Sequence, residues 1–403
     1  MQKGWLTTTF KGDRVIWALV VVFMIYSLLA VYSSSAGVAY LRHGGNTTYF
    51  LRSQFFMLIL SLIIIVVVHY LPYRIYSSLA GVILLFSIGL LILTFAIGSR
   101  VNEAVRTIEI PGTGFRIQTS DVAKVALVLY LARALSRFQG ELNNFMLVTK
   151  YFMAPVAVIC ALIMPENLST ALMVFGISMV IMFIGRVPLK YLLAYIGIAV
   201  IGVVLLAVAL SLFSKQNRVE VWKNRIENFV SGKADGDADY QSNQAKIAIS
   251  TGGLFGKAPG KSTQRNMLPQ SNSDFIFAII IEEYGLLFGA IPLILAYMIL
   301  MFRGITIVRK CETAFPAYLV MGLVVMITVQ AMLNMLVAVG LFPVTGQTLP
   351  MVSWGRTSVL VVSFSIGAIL SVSRVVNARA KAEELPEEEK TDEGEKIYEP
   401  AKA

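Results

Sequence analysis

The stretch KIAISTGGLFGKAPGKSTQRNMLPQSNSDFIFAIIIEEY, residues 246–284, joins two very different compositions. Its first part is polar, rich in glycine and lysine, and reaches as far as Asp274. The next seven residues, from Phe275 to Ile281, are all apolar and begin a long hydrophobic run. A carboxylate between a cationic loop and a membrane helix indicates chemistry at a membrane surface. The alternative is a carboxylate that only caps the helix N-terminus, a position that Asp favours.

The composition of the whole chain is that of a membrane protein. Of its 403 residues, 57% are hydrophobic and 14% are charged, and the mean hydropathy is +0.72. Soluble domains are about half apolar and about a quarter charged. The net charge of +10 does not indicate nucleic-acid binding, because the basic residues are scattered through the loops. The two cysteines, Cys160 and Cys311, are too few for a disulfide framework.

Long hydrophobic runs predict an all-α polytopic membrane protein with about ten transmembrane helices, each about 20 residues long. The predicted spans are 15–36, 51–71, 75–97, 119–138, 149–164, 168–185, 189–213, 274–302, 313–340 and 349–375. The short loops that carry Lys and Arg alternate with short loops that lack them, which predicts cytoplasmic N- and C-termini. We therefore divide the chain into a cytoplasmic segment 1–14, a membrane domain 15–378 and a disordered charged cytoplasmic tail 379–403.

Two loops predicted to lie outside the cell are cationic. Residues 98–118 carry three arginines, and the one large extracytoplasmic loop, residues 214–273, carries nine Lys and Arg against five Asp and Glu. Basic residues normally accumulate in cytoplasmic loops, so an anionic ligand is the natural reason for these. Residues 222–230 have helical amphipathic spacing, which fits either a helix on the outer leaflet or a loop helix packed on the protein.

Ionisable residues within the predicted spans are candidates for function, because their burial in a membrane is costly. Asp121 and Lys124 lie three residues apart on one helix face, either as a functional pair or as a self-satisfying structural pair. In a helix that starts at Asp274, Glu282 would lie about 80° from Asp274 and could face the same cavity. Glu283 would lie on the opposite face, towards a neighbouring helix.

Other catalytic patterns are absent from the sequence. The two histidines and two cysteines are too far apart for a zinc site, and neither a P-loop nor a nucleophile elbow occurs. The glycines at 252, 253, 256 and 260 do not follow a strand, but they could bring backbone N–H groups close to a phosphate.

Several runs of the chain, in order, resemble one known family. They are Gln118–Asp121 with Lys124, the segment 102–108, the loop runs STGGLFG (250–256) and GKSTQ (260–264), Leu268-Pro269, SDFIFA (273–278), EEYG (282–285), and GQTLP (346–350). Together they are similar to the SEDS proteins, the shape, elongation, division and sporulation glycosyltransferases that include FtsW and RodA. The resemblance covers residues 10–378. It departs from the family pattern at Glu166 and at Trp354-Gly355-Arg356.

The resemblance implies polymerisation of lipid II into β-1,4 glycan strands, with undecaprenyl diphosphate as the leaving group. It implies that Asp274 is the general base. The diphosphate would be bound by cations chosen from Lys124, Arg106, Arg116, Lys261 and Arg265. Supporting roles are assigned to Asp121, Ser262, Gln264, Glu282 and Glu283. No metal ligand or cofactor is evident, and a divalent cation at the diphosphate is left open.

The implied partners are lipid II, a class B penicillin-binding transpeptidase and other division proteins, in the bacterial inner membrane at the septum. The GKSTQ run is more similar to the division member than to the elongation member, which remains the alternative within the family. A lipid flippase is an alternative of another class, because many spans with buried charges also describe a carrier. A non-catalytic division scaffold is a third.

Overall fold

The computed structural model describes residues 11–35, 47–101, 104–110, 115–165, 167–213, 237–268 and 271–383. Within these ranges the chain forms eleven α-helical segments, three strands and one short 3-10 helix, Gln264–Asn266. The α-helical segments and strands are α1 Arg14–Ser34, α2 Thr47–Tyr70, α3 Tyr73–Ile97, β1 Ser99–Val101, β2 Ala104–Ile110, β3 Phe115–Gln118, α4 Thr119–Arg137, α5 Phe145–Ile163, α6 Leu168–Ile184, α7 Leu189–Phe213, α8 Asp237–Gly252, α9 Ile276–Arg309, α10 Ala314–Ala338 and α11 Arg356–Glu383. Both α5 and α9 contain one π-helical turn, Thr149–Met153 and Leu286–Ala290.

The helices confirm an all-α multi-pass membrane protein. Among the described residues, seven helices are long and apolar enough to cross a membrane, namely α1, α2, α3, α5, α9, α10 and α11. Two more, α6 and the first part of α7, are apolar but shorter. The fourth predicted span, α4, carries four charged residues: Asp121, Lys124, Arg133 and Arg137. The ten predicted spans thus correspond to ten helices, but the number that cross the bilayer stays a prediction.

The centre of the bundle is formed by the helices with the most buried surfaces. In their membrane-spanning parts, α10 has 72% of its residues buried and α11 has 67%, whereas α3 has 28%. Helix α4 is buried along most of its length. The apolar side chains that α3 and α7 leave exposed are those expected to face lipid. Polar side chains of α4 and α10 therefore lie in the protein interior, where they need partners within the protein.

Polar contacts at one end of the bundle join segments that were predicted to be cytoplasmic. Asp13 caps α1, accepting hydrogen bonds from the backbone N–H groups of Val15 (2.8 Å) and Ile16 (3.3 Å). Its other oxygen accepts from Nε of Arg303 at 2.8 Å. Arg303 therefore has a carboxylate partner, which lets α9 continue to Arg309, seven residues beyond the predicted end of that span.

Contacts at the opposite end join segments that were predicted to lie outside. The hydroxyl of Ser271 donates to the carbonyl of Ser34 at the end of α1 (3.0 Å). The hydroxyl of Thr357, in the first turn of α11, donates to the carbonyl of Arg116 in β3 (2.7 Å). The start of α11 is thereby fixed to the segment that leads into α4.

Three features differ from the expectation of simple loops between spans. The predicted loop 98–118 contains an antiparallel sheet in the order β1-β2-β3, in which Glu109 pairs with Arg116 across strands. The predicted loop 214–273 contains α8, while residues 214–236, including the predicted amphipathic helix, lie outside the described residues. The last span begins at Arg356 rather than 349, because Met351 has a positive φ of 65°. It continues to Glu383, into the predicted tail.

Candidate active site

Asp274 lies in a turn, residues 271–275, immediately before α9. The N-cap position of α9 is held by Phe275, so Asp274 does not occupy the capping position considered from the sequence. The residue is half-buried. Because Asp274 precedes the helix, the angles calculated for a helix that starts at Asp274 do not apply to it.

The turn is held through its backbone. The carbonyl groups of residues 272–274 each accept one hydrogen bond from the second half of the chain. The donors, in order, are the backbone N–H of Trp354 (2.8 Å), Oγ of Ser353 (2.7 Å) and Nδ2 of Asn334 (2.8 Å). These bonds use only main-chain atoms of the turn, so they do not depend on the carboxylate of Asp274.

Lys124 is buried in the interior beside its predicted partner. Its Nζ lies 2.7 Å from Oδ1 of Asp121, and the two side chains are only 4% and 5% exposed. The same ammonium donates to Oε1 of Gln330 on α10 at 2.9 Å. A buried ion pair needs additional hydrogen bonds to offset desolvation, and Gln330 supplies one. The self-satisfying pair is thus formed, and its link to α10 was not predicted.

Glu282 organises the loop that precedes Asp274. Its carboxylate is fully buried and forms an ion pair with Nζ of Lys257 at 2.7 Å. It also accepts from Thr263 N (3.1 Å), Thr263 Oγ1 (2.8 Å), Gln264 N (3.3 Å) and Ser262 Oγ. All of these contacts are with residues 257–264, so Glu282 faces this loop and not a cavity shared with Asp274.

Glu283 and Arg265 meet at the end of α1. Glu283 is buried and accepts hydrogen bonds from the hydroxyl of Ser33 and from the backbone N–H of Ser262 (3.3 Å). Arg265 donates to Oγ of Ser33 at 3.2 Å. Lys261, the other predicted loop cation, is exposed. The loop is therefore tied both to α9 and to α1.

Arg106 and Arg116, the two arginines predicted to bind the diphosphate from the loop before α4, lie on the sheet. Arg116 is 53% exposed and pairs with Glu109 at 3.2 Å, leaving it accessible to solvent. Arg106 lies on β2, and its side chain is outside the described residues. Glu166, where the sequence departs from the family pattern, also lies outside the described residues. Arg356 at the start of α11 lies over the ring of Trp354, with 5.8 Å between its guanidinium carbon and the ring centroid.

Two of the four loop glycines, Gly252 and Gly256, pack closely against the backbone of α9. A Cβ atom on Gly252 would lie 2.2 Å from the carbonyl oxygen of Ile281. The N–H groups of Gly256 and Lys257 donate to the carbonyls of Gly252 (2.8 Å) and Glu282 (2.9 Å). These two N–H groups are already used within the protein, and phosphate binding by the other glycines of the loop stays a prediction.

Three polar residues near this site, Gln330, Asn334 and Thr357, were not identified from the sequence, and Gln347 and Ser353 were identified only as part of the family motif around GQTLP. The side chains of Gln330, Asn334, Ser353 and Thr357 donate to backbone carbonyls that only the fold brings near, and Gln347 donates to the hydroxyl of Thr170. One signal was available, because two amides four residues apart, Gln330 and Asn334, interrupt an otherwise apolar helix.

Neither a metal centre nor a cavity at Asp274 can be assigned from the geometry. Among the described ranges, no three His, Cys, Asp or Glu side chains are grouped as metal ligands. A pocket of about 250 Å³ lies at the other end of the bundle, lined in part by Tyr73, Lys310 and Arg379. A cation-lined cavity at Asp274 stays a prediction.

Fold and site together define a multi-pass membrane protein that holds a carboxylate-bearing turn against its central helices. The family model of the cell cycle proteins FtsW, RodA and SpoVE matches residues 13–378, so the chain belongs to this family. The SEDS resemblance recognised in the loop and helix motifs is thereby confirmed.

Relatives and solved structures match nearly the whole chain. The chain is 31% identical to the probable peptidoglycan glycosyltransferase FtsW of Saccharophagus degradans, over 91% of this chain and 93% of the relative. It is 30% identical to the protein of the same name from Geobacter metallireducens, over 90% and 95%. A chain of a peptidoglycan synthase complex aligns with a TM-score of 0.71 at 23% identity, over 92% and 98%. The rod shape determining protein RodA of Thermus thermophilus aligns with a TM-score of 0.64 at 24% identity, over 92% and 98%.

Proposed function

We propose that this protein is a peptidoglycan glycosyltransferase that polymerises lipid II into β-1,4 glycan strands during septal wall synthesis. Membership of the FtsW, RodA and SpoVE family supports the proposal, as do relatives named probable peptidoglycan glycosyltransferase FtsW. The structural observation that carries it is the turn of Asp274. Three successive carbonyls fix its backbone, an arrangement that suits a carboxylate whose position matters.

In the proposed reaction Asp274 is the general base. The 4-hydroxyl oxygen of the acceptor sugar attacks the anomeric carbon of the donor, and Asp274 takes the hydroxyl proton. The bond from that carbon to the diphosphate breaks, and its electron pair leaves with undecaprenyl diphosphate. Attack opposite the leaving group converts an α-linked diphosphate into a β-1,4 linkage. A positioned base contributes about 10²–10⁴-fold in rate.

Cations are needed because negative charge grows on the departing diphosphate. Lys124 is the first candidate, since it is buried and connected to the Asp274 turn through α10. Arg116 and Arg106 on the sheet are the next, because β3 runs directly into α4. Lys261 and Arg265 belong to the loop held by Glu282 and are proposed as secondary contacts. A divalent cation at the diphosphate remains part of the proposal to be tested.

Division is favoured over elongation because the relatives reported above are named FtsW. The septum of the bacterial inner membrane is accordingly the proposed location. We propose a class B penicillin-binding transpeptidase as partner, together with other division proteins. Support comes from the similarity to a chain of a complex that polymerises and crosslinks peptidoglycan. We also propose a division of the chain into three parts. Residues 1–14 form a cytoplasmic segment, residues 15–378 form the membrane domain, and residues 379–403 form a cytoplasmic tail.

The test uses purified protein and lipid II, with and without the transpeptidase, followed by gel analysis of the glycan chains. Asp274→Ala and Asp274→Asn should fold and insert like wild type but form no polymer, because the turn is held by backbone bonds. Glu312→Gln, at the far end of the bundle, is the matched control and should polymerise normally. Normal polymer from either Asp274 variant would reject the proposal.

Two further measurements, one in proteoliposomes and one in cells, distinguish the glycosyltransferase from a flippase and from a scaffold. A flippase would move lipid II across proteoliposomes without polymer and would tolerate Asp274→Asn. A scaffold would support division in cells whatever residue stands at position 274, provided that the protein is present.

A further inference from the structure

Two buried amides on α10 bond to both halves of the candidate site. Gln330 and Asn334 are 3% and 1% exposed, and they lie four residues apart on one face of the helix. Neither belongs to the set of residues predicted from the sequence. Each has one bond towards a candidate site residue and one towards the segment 347–348.

Gln330 connects the cation to this segment. Its Oε1 accepts from Nζ of Lys124 at 2.9 Å, and its Nε2 donates to the carbonyl of Thr348 at 3.0 Å. Because both ends of the amide are used, Gln330 has one orientation that satisfies both partners. The ammonium of Lys124 is therefore held at a defined height along α10.

Asn334 connects the turn of the base to the same segment. Its Nδ2 donates to the carbonyl of Asp274 at 2.8 Å and to the carbonyl of Gln347 at 2.7 Å. The segment is anchored in turn, since Nε2 of Gln347 donates to Thr170 at 2.6 Å. The turn of Asp274 is thus held against a support that involves α6 as well as α10.

The two amides define a spacing. Four residues of α-helix rise about 6 Å, which separates the attachment point of Lys124 from that of the Asp274 turn. We infer that Gln330 and Asn334 are positioning residues, which set the separation of the Lys124 ammonium and the Asp274 turn during glycosyl transfer. The inference rests on the proposed function. A misplacement of about 1 Å can lower a rate by about 10²-fold.

The experiment measures kcat and KM for lipid II with the full-length protein in detergent or nanodiscs. Asn334→Leu keeps the branched shape of Asn and removes both donated hydrogen bonds, and Gln330→Leu removes both bonds of Gln330. Each should lower kcat by at least about tenfold, and Asn334→Leu should leave KM within about twofold, because it leaves the contacts of the proposed diphosphate-binding cation Lys124 in place. The double variant should lose less than the product of the two single losses.

Two further variants separate positioning from packing. Asn334→Gln keeps an amide donor and should recover part of the kcat that Asn334→Leu loses. Thr328→Val removes a buried hydroxyl on the same helix that has no hydrogen-bond partner among the described residues, and it should behave like wild type. Thermal unfolding of each variant shows whether the lost rate follows lost stability.

The outcomes distinguish this inference from the function on which it rests. Polymerisation by Asp274→Asn would reject both. An inactive Asp274→Asn with wild-type kcat in Asn334→Leu and Gln330→Leu would reject only the positioning role. The positioning role would also be rejected if Asn334→Gln were as slow as Asn334→Leu, or if Thr328→Val lost as much.

Discussion

Two glutamates in the protein form ion pairs in very different surroundings. Glu282 is fully buried, and its partner Lys257 is 28% exposed, whereas Glu109 and Arg116 are 42% and 53% exposed. Solvent-exposed pairs contribute at most about 1 kcal/mol, while removing one member of a buried pair costs several. The first pair should therefore matter for the structure of the loop, and the second should not.

Glu282→Gln should loosen residues 257–264. The neutral amide cannot accept from all of the donors that now meet the carboxylate, and it leaves the ammonium of Lys257 without a counter-charge. Limited proteolysis of the loop in detergent should become faster. Glu109→Gln is the matched control and should leave the cleavage rate unchanged. Equal cleavage rates in the two variants would contradict the structural role assigned to Glu282.

Cys311, between α9 and α10, should react slowly with thiol reagents. Burial raises its pKa to about 11, so the thiol stays protonated at neutral pH. The thiolate is the reactive form, and an ordinary cysteine has a pKa of about 8.5. In a Cys160→Ala background, alkylation at pH 7–8 should be about 300-fold slower than that of a free thiol, which is the difference in thiolate fraction between a pKa of about 11 and one of about 8.5. The rate should rise with pH up to about 11, and a plateau near pH 8.5 would contradict the raised pKa.

For individual side chains, the sequence predicts those contacts that depend on helix geometry alone. The Asp121–Lys124 pair follows from a spacing of three, because both residues lie on one helix. The surroundings of Glu282 could not be predicted, since its partners come from a loop whose path depends on packing. Asn334 was missed for the same reason, because its acceptors are backbone carbonyls 60 and 13 residues away.

The loop before Asp274 and helix α9 are joined backbone to backbone. The N–H of Ala258 donates to the carbonyl of Glu283 (3.0 Å), and that of Leu286 donates to the carbonyl of Gly253 (3.0 Å). Gly256 and Gly285 permit this approach, because both have a positive φ and neither has room for a Cβ. The π-helical turn of α9 follows immediately, at Leu286.

Gly256→Ala should damage this junction more than Gly260→Ala. Both glycines have a φ near 80°, at 79° and 77°, so the conformational cost of alanine is similar. A Cβ at 256 would lie 2.2 Å from the carbonyl oxygen of Glu283, whereas nothing lies within 4 Å of one at 260. Thermal unfolding should show the larger loss for Gly256→Ala. Equal midpoints would mean that the close approach does not contribute to stability.

The order of the helices was predictable, but their ends and the small sheet were not. Hydrophobic runs of about 20 residues identify membrane helices whatever their neighbours. The strand Ala104–Ile110 is short, and its pairing depends on residues outside it, such as Phe115–Gln118. The start of α11 depends on the irregular segment before it, which is held by bonds such as Leu349 N to Ser353 Oγ (2.8 Å).

At the scale of the whole molecule, the polar contacts divide between two ends of the bundle. The end with Asp13 and Arg303 is predicted to be cytoplasmic, and the end with Asp274 is predicted to lie outside. This assignment comes from the distribution of Lys and Arg. The mechanism requires it, because lipid II is consumed where the glycan strands are built.

Single cysteines test this orientation in a variant that lacks Cys160 and Cys311. Leu254→Cys, in the loop whose carbonyl at 254 accepts from the N–H of Leu287 on α9, should react with a membrane-impermeant maleimide added to intact spheroplasts, because Leu254 is 64% exposed. Met146→Cys, at the opposite end and 72% exposed, should react only after permeabilisation. The reverse pattern would place Asp274 in the cytoplasm and exclude the proposed reaction.

The length of α11 has a consequence for whatever is attached to the C-terminal residues. Its 28 residues extend about 42 Å, against a hydrocarbon thickness of about 30 Å. Arg374 bonds to the carbonyl of Tyr70 at the end of α2, and nine more residues reach Glu383. The last nine residues of the helix therefore extend about 13 Å beyond the contact between Arg374 and Tyr70. A fluorescent protein inserted directly after Glu383 would therefore be held about 13 Å beyond the contact between α11 and α2, which makes this point a suitable place for a reporter.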